Sequence, residues 1–403
     1  MFLDLASFEE AYGCISGLCA TFESQERVSV HDSRSRVLAA DIISGIDVPG
    51  YPKSQMDGYA LRSADTFSAS EEAPVTLEIV DHVDAGKTSS IEIGYGQCAY
   101  VATGARVPQG ADAVVMIEDV AADGTSIQIV SGAAPAQHVM KAGFDIGKGA
   151  RLFGKGQQVT PRMIGAMCAV GIGEVDVFCR PSVAVVSTGN EIRAPGDATD
   201  GASTYDINGP FLASACTSIG CDARYMGIAP DTEQGLRDIL EKAAACDIVL
   251  MSAGVSKGVR DLSEALISKM GTIHLHGVNI KPGKPTLIAT VGDALVIGLP
   301  GHPTSCATIF STLVLPHIYR MCNRAYEPKY VTLPLSKRVY ASRGRRQFLP
   351  VRIEDGTAVP VFRGSGAISS FLAADAIAIL SESDEYLDRG DKVQVLLLGD
   401  NLV

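Results

Sequence analysis

DIVLMSAGVSKGVRD (247–261), IKPGKP (280–285) and VIGLPGHPTS (296–305) are three stretches that lie within sixty residues and decide how this chain folds. DIVLM and ALVIG read as buried strands, and each empties into a Gly-rich turn where the bend needs residues without a β-carbon. Backbone N–H groups exposed at such bends cradle phosphate or another oxyanion. Between the two turns Lys281 and Lys284 are fixed by Pro282 and Pro285 around Gly283, so their charges are held in place as those of solvated surface lysines are not. The stretch predicts a multiply charged anionic ligand.

Outward from this stretch, residues 181–317 alternate strand and helix: VAVVST, NGPFLASACTSIG, ARYMGIA, a helix after Asp231, then DIVLMS. The helix after Asp231 carries Leu236, Ile239, Leu240 and Ala243 on one stripe, and Asp231 with Gln234 has the spacing of a capping box. Such alternation predicts a mostly parallel sheet with helices on both faces and ligands at the carboxyl ends of the strands. STGNE (187–191), SAGVSKG (252–258) and LPGHPTS (299–305) all fall at such ends. Three loops on one rim make a candidate site.

The flanking sequence has a different texture. Helix periodicity around Phe8, Ala11, Ile15 and Leu18, with Ser7 as N-cap, opens the chain. Short β-segments divided by Gly, Asp and Pro turns fill 45–140, and a helix with Thr160 as N-cap and Pro161 at its first position sits in the Gly-rich segment 141–180. Beyond Tyr326 the regular spacing of YVTLPLSKRVY, RRQFLPVRIE, AVPVF, AIAIL and DKVQVLLLG predicts a small closed or sandwich-like β-domain. The expected division is an elongated discontinuous domain (1–44 and 141–180), an inserted β-rich domain (45–140), an α/β domain (181–326) and a C-terminal β-domain (327–403).

Composition narrows the function classes. At 403 residues, 46% of them hydrophobic, the chain has material for several packed cores. A formal net charge of -12 argues against non-specific nucleic-acid binding, so positive potential for an anionic ligand must be local. The ten cysteines include no CxxC pair, and the acidic start MFLDLASFEE reads as a helix rather than a secretory leader, which predicts a reducing cytoplasmic location. No apolar run approaches the roughly 18 residues of a membrane span.

Neither GxxxxGK[ST] nor a strand-linked GxGxxG with its acidic partner occurs, so a standard nucleotide fold is disfavoured. No HExxH or Cys/His cluster has zinc spacing, and no G-x-S-x-G elbow marks a nucleophile. Asp57, Glu191, Asp206 and Asp261 each lie in a loop or at an element end. Opposite the lysine loop they would suit a hard cation such as Mg²⁺ on a substrate phosphate; taken singly, each also reads as a solvated loop acid or a cap. Asp57 in SQMDGYA has the plain reading of a hairpin turn, and Arg363-Gly364-Ser365-Gly366 that of a β-turn with donors.

Six motifs in register carry a resemblance: SQMDGYA (54–60), TGARVPQGADAVVMIED (103–119), STGNEI (187–192), SAGVSKG (252–258), KPGKP (281–285) and GLPGHPTS (298–305). Together they resemble the molybdopterin molybdenumtransferase family, which includes the E domain of gephyrin, over nearly the whole chain. The resemblance implies a multidomain α/β plus β fold: a three-layer α/β molybdopterin-binding-like domain, an inserted β-rich domain, an elongated discontinuous domain and a C-terminal small β-barrel-like domain. It further implies a homodimer with its active site in a cleft shared between subunits. The implied reaction takes adenylylated molybdopterin and molybdate or tungstate as substrates, uses Mg²⁺, and releases AMP. Partners implied with it are a molybdopterin adenylyltransferase and apo-molybdoenzymes.

Carried over by motif, Asp57, Glu191, Asp206 and Asp261 become the catalytic and metal-binding acids. Thr103, Gly254, Ser256, Lys281, Lys284, Pro300, Gly301, Ser305, Arg363 and Ser365 become the substrate-binding set. The chain departs from the family pattern at Asn190, at Ala253-Gly254, at Lys257-Gly258-Val259-Arg260, at His302, and at Gly277, which replaces a lysine four residues ahead of Lys281. These changes make the rim more positive. Two other readings stand beside the transferase: adenylyl transfer to molybdopterin, against which the β-insert and C-terminal domain argue, and a non-catalytic scaffold or storage protein.

Overall fold

The computed structural model describes residues 5–19, 21–198, 201–253 and 257–399, and only the backbone of 253 and 257–261. The chain divides into two compact units, one formed by Arg27–Arg34 and Leu38–Val175, the other by the remaining segments.

Helix α1 (Phe8–Leu18) spans the periodic positions that predict it and starts where expected. Ser7 Oγ accepts the Glu10 N–H at 3.1 Å while Glu10 Oε2 accepts the Ser7 N–H at 2.7 Å, a reciprocal capping box. Ala11 and Ile15 face inward and are fully buried in the core of the larger unit.

The smaller unit is built on a six-stranded sheet of β1 (Gly58–Leu61), β2 (Val75–Val83), β3 (Gln97–Val101), β4 (Ala113–Met116), β5 (Val120–Ala122) and β6 (Ser126–Ile129). Their order is β4-β1-β3-β2-β6-β5. Gly58 is required in β1, because a Cβ there would meet the Val115 carbonyl oxygen at 2.0 Å. Helix α2 (Pro161–Ala169) in the same unit is capped by Thr160, as its sequence predicts.

The larger unit contains the expected α/β layer. Strands β7 (Ser182–Thr188), β8 (Asp222–Ala229), β9 (Ile248–Ala253), β10 (Thr272–His276), β12 (Leu287–Val291) and β13 (Ala294–Pro300) form one sheet. The intervening β11 (Ile280–Lys281) belongs to another sheet. The order is β8-β7-β9-β13-β12-β10, with the first four strands parallel and the last two pairings antiparallel.

One face packs on α1, α3 (Asn208–Ile219), α6 (Pro303–Ile309) and α7 (Leu315–Met321), and the other on α4 (Glu233–Ala243) and α5 (Lys257–Met270). Leu236, Leu240 and Ala243 are buried on the α4 stripe and Ile239 packs at its edge. The cap of α4 differs from expectation: Thr232, not Asp231, is the N-cap, its hydroxyl accepting the Gly235 N–H at 3.2 Å. The Asp231 carboxylate is taken instead by the neighbouring loop.

The C-terminal strands β14 (Tyr330–Pro334), β15 (Arg346–Glu354), β16 (Thr357–Pro360), β17 (Ala376–Leu380) and β18 (Lys392–Leu397) run in the order β11-β15-β17-β18-β14, with β16 pairing β15. Leu335, one residue past β14, bridges to Ala358 of β16, so the pairings close into a circuit. The pairing of β11 with β15 ties the lysine loop to this sheet.

His317 on α7 is buried against Tyr12, ring centroids 4.4 Å apart, and its Nε2 has no hydrogen-bond partner among the described residues. Burial, with Arg320 adding to it, pushes its pKa down to about 4. The unfolded chain therefore binds the proton more readily than the folded one between pH 6.5 and 4, and stability falls as pH drops through that window, by about 3 kcal/mol in all. His317→Phe should flatten this part of the stability profile in urea titrations at pH 7 and 5. An unchanged slope would assign the acid sensitivity elsewhere.

Candidate functional site

Because β7, β9 and β13 are parallel, their carboxyl ends share one edge of the sheet, where the loops after β7 and β13 begin beside Ser252 of β9; residues 254–256 of the third predicted loop lie outside the described residues. Asn208, at the start of α3 and nearly buried, fixes two of the strand ends: its Nδ2 donates to Ser252 Oγ at 2.7 Å and to the Gly301 carbonyl at 2.8 Å. Asn208→Ala leaves both acceptors unpaired and is expected to cost about 2 kcal/mol. Chemical denaturation checks this, and a loss below about 0.5 kcal/mol would show that the rim does not depend on Asn208.

Below the rim, a cleft of about 470 Å³ is lined by Lys281, Lys284, Pro300, Gly301, Ser305 and Ser365. Six of the ten residues expected to bind substrate are thus brought to one place. Glu264, His276 and Arg345 also line it, His276 Nδ1 lying 3.0 Å from Glu264 Oε2. Three permanent cations against one carboxylate make the described lining positive within an acidic protein.

The lysine loop is held from both sides. Lys281 Nζ donates to Ser342 Oγ at 2.7 Å, and Asn279 Nδ2 donates to the Gly344 carbonyl at 2.6 Å. Gly283 accepts from the Thr286 hydroxyl at 2.7 Å. Across the cleft, His302 Nδ1 and Ser365 Oγ are 2.9 Å apart, and the Ser365 carbonyl accepts the Thr304 N–H at 3.1 Å. His302, a departure from the family pattern, therefore joins the LPGHP turn to the RGSG turn. Arg363 is not in the cleft lining; its backbone N–H donates to Ser370 Oγ at 2.8 Å.

The acids divide into three groups. Asp206 is buried, its Oδ2 accepting from the Tyr225 hydroxyl at 2.6 Å and its Oδ1 from the Gly209 N–H at 3.1 Å. Burial and that carboxylate together push the Tyr225 phenol well above its ordinary value. Gly209 has no substitute here, since a Cβ would stand 2.3 Å from the Tyr225 ring.

Glu191 lies in the loop after β7, with Asp231 close by at the end of β8. Asp231 Oδ2 accepts the Asn190 N–H at 2.7 Å, while its buried Oδ1 has no partner among the described residues. Burial raises the Asp231 carboxyl above the usual range, the Asn190 hydrogen bond opposes this, and the Glu191 charge adds to it. Asp231 is the acid that sequence reasoning assigned to a helix cap. The signal was its place two residues past a strand end, in GIAPD.

Asp57 belongs to the other unit with Thr103, and the pair is joined there: Asp57 Oδ1 accepts the Thr103 N–H at 2.6 Å and its hydroxyl at 2.9 Å. These two hydrogen bonds, the backbone one first, hold the exposed Asp57 carboxyl below the usual carboxylate range. Gly254 and Ser256, and the side chain of Asp261, lie outside the described residues.

Comparison with known proteins agrees with this architecture. Residues 6–171 match the model of the MoeA N-terminal region (domain I and II), 184–320 that of a probable molybdopterin binding domain, and 332–398 that of the MoeA C-terminal region (domain IV). A molybdopterin molybdenumtransferase of Bacillus subtilis is 30% identical over 93% of this chain and 90% of its own length. One from Synechococcus elongatus is 31% identical over 92% and 94%. Among solved structures, a molybdopterin biosynthesis MoeA protein from Pyrococcus horikosii is 40% identical, covers 98% of this chain and 99% of its own, and superposes with a TM-score of 0.87. With three family models covering most of the chain in order, and relatives matched end to end, this protein belongs to the MoeA family.

Proposed function

We propose that this chain is a molybdopterin molybdenumtransferase that inserts molybdate, or tungstate, into adenylylated molybdopterin and releases AMP. The observation that carries the reading is the cleft in which Lys281, Lys284, Ser305, Gly301 and Ser365 converge. Fixed ammonium groups and hydroxyls on a pre-organised frame bind a tetrahedral oxyanion without having to reorganise around it.

In this reading Lys281 and Lys284 hold the oxyanion or the pyrophosphate, and Ser305 and Ser365 orient it by hydrogen bonding. Asp206, with both oxygens already bonded, positions the start of α3. The unpaired buried oxygen of Asp231 beside Glu191 is a donor set that suits a hard cation. Glu191 and Asp231 would hold Mg²⁺, joined in this proposal by Asp261, while Asp57 is a metal-binding candidate of its own unit; the ion when bound supplies positive charge that makes AMP a better leaving group.

The finer readings rest on the family likeness: a homodimer, a cytoplasmic location, contact with a molybdopterin adenylyltransferase and apo-molybdoenzymes, and the four-domain division 1–44 with 141–180, 45–140, 181–326 and 327–403. No helix among the described residues is long and apolar enough to cross a membrane.

Incubating the purified protein with adenylylated molybdopterin, Mg²⁺ and molybdate or tungstate should release AMP in step with oxyanion consumed. No AMP above the blank with either oxyanion would sink the transferase reading.

A further inference from the structure

Away from the cleft, the larger unit brings together two thiols that the proposed reaction does not use. Cys221 follows Gly220, the left-handed residue that ends α3, and Cys322 caps the end of α7. Their sulfurs are 3.6 Å apart although 101 residues separate them in sequence, and the two residues are only 2% and 7% exposed. Both backbones are anchored: the Cys221 N–H donates to Cys216 at 3.1 Å and the Cys322 N–H to Ile318 at 2.9 Å. A disulfide needs the sulfurs at about 2.05 Å, so closure is a shift of roughly 1.5 Å between neighbouring side chains.

The surroundings set the two sulfurs apart from the other buried cysteines. Arg324 donates to the Ile219 carbonyl at 2.5 Å and lies over the Tyr319 ring, which fixes its guanidinium near Cys322. A small cavity of about 20 Å³ is lined by Cys322 together with Arg180, Arg324, Ile219 and Gly220. A void of roughly 10–15 Å³ already holds a water, so this one admits a molecule little larger. The hydrogen bond from Cys221, then Arg324 and Arg180, lower the Cys322 thiol against the effect of burial, while the same bond and burial raise Cys221. By contrast, burial alone pushes Cys98 up to about 12.

We propose that Cys221 and Cys322 are a redox-modification site: hydrogen peroxide entering this cavity oxidises the pair to a disulfide that staples α3 to α7. The Cys322 thiolate attacks one peroxide oxygen, the O–O bond breaks, and the departing hydroxide takes a proton to become water. The Cys221 sulfur then attacks the sulfur of the Cys322 sulfenic acid. An S–S bond forms as the S–O bond breaks, and a second water leaves with the Cys221 proton. Two thiols are oxidised and one peroxide is reduced, so atoms and electrons balance. The staple joins the far ends of helical segments whose other ends reach the rim, α3 at Asn208 and the α6–α7 segment beside Gly301 and Ser305.

The test uses the full wild-type chain, so it does not depend on a variant folding. After hydrogen peroxide treatment, the protein is unfolded, its thiols are blocked with N-ethylmaleimide, and intact and peptide masses are measured. Eight of the ten cysteines should be blocked instead of all ten, with one cross-linked peptide pair containing Cys221 and Cys322. The oxidised protein should also unfold several degrees above the reduced one, and dithiothreitol should reverse both changes. Cys221→Ala and Cys322→Ala should each abolish the cross-link and the thermal shift. Ten blocked thiols, a cross-link between other cysteines, or a Cys322 sulfenic acid with Cys221 still free would overturn the proposal.

Discussion

Gly283→Ala is expected to destabilise the protein by about 3 kcal/mol and to lower AMP release at least tenfold, even at temperatures where the variant stays folded. Gly283 has φ +116°, a region costing an L-residue roughly 1–3 kcal/mol. A Cβ there would lie 2.2 Å from Ile309 Cδ1 and 2.5 Å from its Cγ1. Ile309 is fully buried in the core beneath, so it cannot swing aside, and overpacking adds about 1–3 kcal/mol. Strain would be relieved by lifting the loop, which carries Lys281 on one side of the glycine and Lys284 on the other. Urea unfolding and the AMP assay read the two effects separately. Wild-type stability with full activity would show that the loop is not held as described.

Lys281→Ala should do the reverse, leaving stability within about 1 kcal/mol while lowering AMP formation roughly 100- to 1000-fold. The side chain is exposed and its ammonium donates to Ser342 Oγ, so little core packing goes with it. What is lost is a positioned ammonium at the mouth of the cleft. Lys281→Arg should recover only part of the activity, because a planar fork does not reproduce a compact point charge. Equal rates for the wild type and both variants would remove Lys281 from the site.

The α/β layer was legible in the sequence because each strand run ended in a loop with its own signature, and parallel alternation places such loops on one edge. Lys281 and Lys284 were marked by the prolines and glycine that frame their loop, whereas Gly301 and Ser305 were named through the family resemblance, in a loop already placed on that edge. Ser365 is 60 residues further along, and its place opposite His302 depends on how the C-terminal sheet pairs with Ile280–Lys281, a long-range pairing that local pattern does not encode.

Asp231 shows the limit from the other side. Its spacing to Gln234 suits a cap, but Thr232 is equally able, and the competition was settled by the Asn190 N–H from a loop 41 residues away. The Cys221–Cys322 approach has no sequence signature either, since buried cysteines read as small hydrophobes until the helices that carry them are packed.

The central claim, that the cleft below the rim is where the oxyanion binds, is tested most directly by anomalous diffraction from crystals soaked in tungstate. A tungsten peak within hydrogen-bonding reach of the Lys281 ammonium and the Ser305 hydroxyl, absent from Lys281→Ala crystals, is the predicted result. A fully occupied peak elsewhere on the protein, with the cleft empty, would contradict it.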